Sequence, residues 1–472
     1  MATIRIVDPV TRIEGHMSVE VTIDGGRVTD AWCTGTLFRG FETILNGRGA
    51  LDAPVITQRI CGVCPISHGT ASVLALEDTG NFPVPDNARI LRNLTLGANY
   101  IQSHILHFYL LTLPDFVASP NMAPWAPGWN VDIRIPGTSP VAGHLATAIE
   151  ARRRAHEMGA IFGGRMPTSH TFVPGGFTAV PTSADVTKFR TQLDWLINFI
   201  RTVYIPDVQA VAAAYPDYRA IGAGYGNLMA YGVFDLNAAG TSKLLRQGVI
   251  EAASKGTPAA LDVNQISESV TYSWYDEFTN DLTPAQGKTT PQYPKANAYS
   301  WLKAPRYAGK PFEMGPLARM WVNGDYRAGI SVMDRHLARA HEALKVAEAM
   351  RTWLTGLRVG SPVYTLARMG TGEGVGLTEA PRGGLGHWVR LSAGQISHYQ
   401  VITPTCWNAS PRDDQNIPGP MEKALIGIAV KDANMPIEVL RVIHSYDPCL
   451  SCAVHVMSPE REPVVLQAGM AG

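Results

Sequence analysis

The sequence predicts an α+β fold that is mainly α: a large helical core, an N-terminal β-hairpin region and smaller mixed β segments. Three observations predict it. Ser18-Val-Glu-Val-Thr-Ile23 alternates apolar and polar residues, turns at Asp24-Gly25-Gly26 and returns over Arg27–Trp32, the pattern of a hairpin. Long helical periodicities recur over 86–113, 183–203 and 329–355. Residues 215–325 are rich in Gly, Tyr and Pro and carry several short strand signals.

In chain order, strands are expected over 3–34. A short helix follows Phe38-Arg39-Gly40-Phe41-Glu42. Pro65, favoured at a first helical position, opens a helix to about Glu77. Cys64 then sits at that helix N-terminus, where free N–H groups and the dipole stabilise a thiolate. From Asp86 to about Leu113 the residues Ile90, Leu91, Leu94, Leu96, Ile101, Ile105 and Leu106 mark a long helix that contains His104 and His107. Another helix is expected over 139–160, broken by Gly163-Gly164-Arg165-Met166-Pro167. Residues 369–412 read as loop- and turn-rich, with Gly370, Gly372, Gly374 and Gly376. A helix near 420–430 and a short segment 437–445 complete the chain before its last motif. No internal repeat or linker divides it, so one integrated domain is expected.

The composition excludes several classes. Lys+Arg and Asp+Glu balance at 40 each, so no global charge argues for nucleic acid or a membrane surface. No apolar run reaches the roughly 18–20 residues of a spanning helix. The N-terminus lacks the basic-then-apolar build of a signal peptide, so no anchor or export address of the chain's own is expected. Four of the six cysteines form two CxxC pairs, a pattern reserved for metal or redox chemistry rather than structural disulfides.

The pairs lie in Arg59-Ile-Cys61-Gly-Val-Cys64-Pro-Ile-Ser-His68 and Asp447-Pro-Cys449-Leu-Ser-Cys452-Ala-Val-His455. Four converging thiolates suit structural zinc, a dithiol switch, or a soft redox metal such as nickel or iron. Zinc knuckles are usually close in sequence and staple small modules, whereas these pairs lie near opposite ends of a long chain. Glu14, Arg382 and Asp447 stand among Gly or Pro in segments that do not read as solvated helix faces. With the thiols they suggest a buried polar pocket.

These motifs resemble the large, catalytic subunit of [NiFe]-hydrogenases, nearly end to end. Thr11-Arg-Ile-Glu-Gly-His16, Arg39-Gly-Phe-Glu42, His104-Ile-Leu-His107-Phe-Tyr109, Ala380-Pro-Arg-Gly383 and Trp407-Asn408 fall in the family's order. The resemblance implies an enzyme that cleaves H2 heterolytically or forms it. Cys61 and Cys449 would be terminal nickel ligands. Cys64 and Cys452 would bridge nickel to an iron carrying one CO and two cyanides. Glu14 matches the proton-exit carboxylate, and Arg382 the guanidinium above the open site beside the canopy aspartate Asp447. Pro381, Arg382 and Thr405 would line the diatomic ligands, and His68 would hydrogen-bond a bridging sulfur. Glu42, the backbone carbonyl near Val401 and the His455 imidazole match a buried Mg (or Fe) site.

The resemblance also implies partners. An iron–sulfur small subunit would take the electrons, because no cysteines remain here for a cluster chain. A maturation endopeptidase and metal-insertion factors would complete the site. The precursor would be cut after His455, making 1–455 the mature domain and 456–472 a removable tail. The compartment would be the cytoplasm, or the membrane or periplasm reached through the small subunit. An H2-sensing regulatory subunit keeps the same metal site and is the alternative within the family. A redox-silent structural relative predicts loss of the thiols, and all four are present. Two departures stand out. Gln102-Ser103-His104 places Ser103 where many members have an acid, a form that resembles the [NiFeSe] branch, in which selenocysteine takes the position of Cys449. Cys406 is an extra thiol, read as a small buried hydrophobe.

Overall fold

The computed structural model describes residues 2–80, 82–118, 131–254 and 257–450, with the backbone of 465–466. It is a mixed helix and strand fold, as expected. The N-terminal strands β1 (Thr3–Val7), β2 (Met17–Asp24) and β3 (Arg27–Gly35) form an antiparallel sheet in that order. Asp24 pairs with Arg27, and Gly25 and Gly26 both take positive φ, which suits a two-residue hairpin turn. Met17, Val19, Val21 and Ile23 face the core and the residues between them face outward. The backbone of Val465–Leu466 pairs in parallel with β1.

Helices α1 (Phe41–Leu45), α2 (Pro65–Asp78), α3 (Asp86–Leu106), α4 (Leu145–Gly163) and α5 (Ser183–Phe199) follow where the sequence places them; α6 (Pro316–Asn323) stands in the stretch read as mixed short strands, and α7 (Val332–Gly356) again follows the apolar spacing. The helix expected over 139–160 is split at His144, with a short turn Pro140–Gly143 before α4. Helix α3 continues as a π-helical stretch over His107–Thr112. Its apolar residues are buried on nearly every side, because it runs through the core against α4 and α7. Ser331 caps α7 by accepting from the Asp334 N–H at 3.1 Å.

The main correction concerns 369–412. This stretch is a three-stranded antiparallel meander, β4 (Gly372–Ala380), β5 (Gly383–Ser392) and β6 (Gln395–Ile402), rather than loops. The alternating glycines are the reason for both the fold and the misreading. A Cβ on Gly374 would lie 2.1 Å from the Ala75 carbonyl oxygen, and one on Gly376 2.0 Å from that of Ala71. One face of β4 therefore lies on the backbone of α2, where only glycine fits. Ala380 pairs with Gly383, so Pro381 and Arg382 form a two-residue loop between β4 and β5.

Beyond the meander stand α8 (Pro404–Asn408), α9 (Pro420–Leu425) and α10 (Ile437–Ser445). Helix α9 is shorter than the 420–430 expected. Helix α10 delivers 447–450 into the interior. Asp447 takes φ 55°, a left-handed conformation that aspartate tolerates, and turns the chain back toward residue 14.

Candidate metal centre

Three segments distant in sequence meet at the N-terminus of α2. Cys64 is the residue before that helix, with Pro65 at its first position. Cys61 lies one turn earlier, and its sulfur accepts from the Val63 and Cys64 N–H groups at 3.4 and 3.3 Å. Cys449 comes from the segment after α10, its Sγ 3.1 Å from that of Cys61. The sulfurs of Cys61, Cys64 and Cys449 all lie within 4.8 Å of one another, and all three residues are buried. Cys452 and His455 lie outside the described residues. The Cys64 thiol is pushed well above its ordinary pKa, by hydrogen bonds with Cys449 and Cys61 and by burial. Such a crowded set calls for a cation, since a dication holds thiolates that otherwise repel one another.

Glu14 joins the two halves. It forms a parallel bridge with Cys449: its N–H donates to the Pro448 carbonyl at 3.3 Å and its carbonyl accepts from Leu450 at 2.5 Å. Its side-chain Oε1 accepts from the Gly62 N–H at 3.3 Å, inside the first CxxC. The carboxylate thus sits against the backbone between the first two cysteines.

Above the thiols, Arg382 Nη2 lies 2.9 Å from Asp447 Oδ1, both side chains fully buried. The contact is ionic: none of the guanidinium nitrogens is aligned as a hydrogen-bond donor to any described atom. Burial works against its charge, but Asp447 and the surrounding thiols hold Arg382 well above its ordinary pKa. Thr405 Oγ1 accepts from the Cys449 N–H at 2.9 Å, which leaves its own hydrogen to donate. Pro381 is buried beside Arg382. His68, one turn along α2 from Cys64, shares a hydrogen bond with His387 at 3.2 Å, and His387 meets the Tyr399 hydroxyl at 2.8 Å. Burial lowers His68 to about 4, so the imidazole is neutral at pH 7.

A family model described as nickel-dependent hydrogenase matches residues 39–127, 122–328 and 322–455, and a HoxL-like model matches 3–33. The chain belongs to the nickel-dependent hydrogenase family. It is 40% identical to the periplasmic [NiFeSe] hydrogenase large subunit of Desulfomicrobium baculatum, over 96% of this chain and 95% of that one. It is 31% identical to the hydrogenase-2 large chain of Escherichia coli K12, over 97% and 98%. The solved [NiFeSe] hydrogenase of D. vulgaris Hildenborough in its as-isolated oxidised state superposes with a TM-score of 0.92 at 42% identity, covering 96% of this chain and 100% of that one. The protein is therefore a hydrogenase catalytic chain, an oxidoreductase with a Ni–Fe centre and a small-subunit partner. These relatives support neither a sensor nor a zinc protein.

The hydrogenase fits its cofactor on its own chemistry. Three soft donors converge, and a buried guanidinium above them keeps unaligned donors. A second polar site lies at α1. Glu42 Oε1 accepts from the Val401 N–H at 3.0 Å, and the Thr289 hydroxyl donates to Oε2. Glu42 and Val401 border a cavity of about 60 Å³ lined also by Glu268, Lys303 and Gln400. Gln400 Nε2 donates to Glu268 Oε2 at 2.7 Å, and Lys303 Nζ lies 3.5 Å from the same oxygen. Glu268 and Lys303 come from the least readable third of the sequence and carry no motif. Arg335 and Glu342, by contrast, break the apolar stripe of α7 at helical spacing, a legible sign of the buried ion pairs they make with Glu313 and Arg319.

Proposed function

We propose that this chain cleaves or forms H2 at a nickel–iron centre held by Cys61, Cys64, Cys449 and Cys452, with one CO and two cyanides on the iron. The observation that supports it most is the convergence of Cys61, Cys64 and Cys449 beside the Glu14 carboxylate. When bound, the centre supplies heterolytic H2 chemistry. Cys61, Cys64, Cys449 and Cys452 would hold nickel, with Cys64 and Cys452 also serving iron. Glu14 takes the proton from the thiolate side and passes it outward. Arg382 directs its donors at the diatomic ligands, and Asp447 balances its charge. Thr405 adds a second donor, Pro381 excludes water, and His68 orients a bridging sulfur.

Electrons leave through an iron–sulfur small subunit. Beyond the CxxC pairs only Cys33 and Cys406 remain, too few for a cluster chain. Glu42, the Val401 carbonyl and His455 hold Mg (or Fe), a hard ion suited to oxygen and imidazole ligands. We read 1–455 as one domain and 456–472 as a tail that a maturation endopeptidase removes after metal-insertion factors have acted. The family model's match ends at 455, which supports that boundary. No helix among the described residues is long and apolar enough to cross a membrane. The chain acts in the cytoplasm, or at the membrane or in the periplasm through its small subunit, as the name of the D. baculatum relative suggests.

Metal analysis and infrared spectroscopy of the processed heterodimer test this reading. One nickel per heterodimer, iron in excess of nickel because the small subunit's clusters add their own, and CO and cyanide bands are expected, and Cys449→Ser should lose the nickel. Zinc without nickel overturns the reading.

A further inference from the structure

One arginine, Arg382, stands in the two-residue loop Pro381–Arg382 and another, Arg319, packs against it, and they differ in one respect. Arg382 has no aligned hydrogen bond among the described residues. Arg319, on α6, has spent every donor it owns. Its Nε donates to Glu342 Oε1 at 2.6 Å. Its Nη1 donates to Glu379 Oε2 at 2.8 Å and to the Ala380 carbonyl at 3.0 Å. Its Nη2 donates to Glu342 Oε2 at 2.7 Å and to the Pro381 carbonyl at 2.8 Å. A guanidinium has five N–H groups, and here all five are used. Arg319, Glu342 and Glu379 are fully buried.

The two acceptors that matter are backbone. The carbonyls of Ala380 and Pro381 belong to the loop that presents Arg382, and being buried they need a protein donor. Arg319 supplies both from one rigid plane. That plane is itself fixed from three sides. His104 on α3 donates to Glu342 Oε2 at 2.9 Å, the Tyr231 N–H donates to Glu379 Oε1 at 2.6 Å, and the Tyr100 hydroxyl donates to the Glu379 carbonyl at 2.8 Å. Gly315, just before α6, has φ 131°, and a Cβ there would lie 3.1 Å from the Arg382 carbonyl oxygen. The start of α6 and the loop are thus in direct contact.

We propose that Arg319 is a positioning residue for the reaction: by binding the Ala380 and Pro381 carbonyls it sets where Pro381 and Arg382 stand over the thiol cluster. Glu342 and Glu379 orient it from opposite sides. The proposal rests on the Ni–Fe reading above, since its effect is felt by the ligands of that centre.

The test uses the processed heterodimer and reads nickel content, the CO and cyanide stretches, and turnover per nickel. Arg319→Lys keeps the charge but replaces five forked donors by three from one point. Metallated enzyme with displaced stretches and turnover lower by about 10- to 100-fold is expected. Wild-type stretches with turnover within about twofold overturn the proposal. Should Arg319→Lys fail to fold or to take up nickel, Glu379→Gln decides. It keeps shape and leaves the Glu342 pairing intact. Stretches displaced from the wild-type positions support the proposal, and unmoved stretches overturn it. Missing stretches in the wild type sink the Ni–Fe reading itself. Present in the wild type and unmoved in the variants, they sink only the role of Arg319.

Discussion

Arg382 and Asp447 face each other at 2.9 Å in a buried ion pair, yet no guanidinium N–H is aligned on the carboxylate. Charge is balanced while the directional donors stay available to a third group. A buried guanidinium with idle donors is costly unless something else engages them, which supports the ligand-binding role proposed for it.

Arg382→Lys follows from this. Lysine preserves the pair with Asp447 and loses the fork. Turnover should fall about 10²- to 10³-fold with metal content retained, the scale of losing a preorganised donor. Nickel analysis beside H2 oxidation assays checks it, and near-normal turnover would count against the role of the fork.

Glu14→Gln should leave the backbone bridge to Cys449 intact, because that bridge uses only main-chain atoms. Metal content is expected to stay normal. Proton exchange, followed as H2/D2 scrambling, should slow by about 10²- to 10⁴-fold, the range for a positioned acid–base group. Loss of nickel instead would show that the carboxylate serves assembly.

Glu422 gives a pH signature remote from the thiols. Burial raises it from 4.5 to about 7, although the Cys33 and Gly419 N–H groups and the Tyr299 hydroxyl donate to it. The folded state therefore holds the proton more tightly than the unfolded one. Its stabilising contribution is full below pH 4.5 and is lost as pH rises through about 7, a change of about 3 kcal/mol. Glu422→Gln should remove that part of the slope. Urea midpoints at pH 5 and 7 decide: equal differences for wild type and variant would contradict it.

Gly376→Ala should destabilise the protein by about 1–3 kcal/mol or more, because its Cβ would meet backbone that cannot yield. Thermal unfolding measures this. A neutral outcome would mean that α2 and β4 can separate without cost.

The helices around the site are legible in the sequence because Ile90, Leu91, Leu94 and their successors repeat at helical spacing. Both CxxC motifs are legible because thiol pairs have few other uses. The meander is not, because Gly372, Gly374 and Gly376 occupy the positions where apolar residues would have signalled a strand. Nor is the bracket of Arg319, Glu342 and Glu379 legible as a unit. Its members lie on separate elements, and only the packing of α3, α6, α7 and β4 makes them neighbours.

Cys61 and Cys449 stand 388 positions apart in the chain with their sulfurs 3.1 Å apart. An ion held by both closes most of the polypeptide into a ring. In chain-entropy terms a ring of that size restricts the unfolded chain by about 6 kcal/mol. The reaction centre is then also a clasp on the molecule's two ends. The segments carrying Cys61 and Cys449 cannot separate while the ion is held, and an ion that escapes takes with it a large part of the resistance to unfolding.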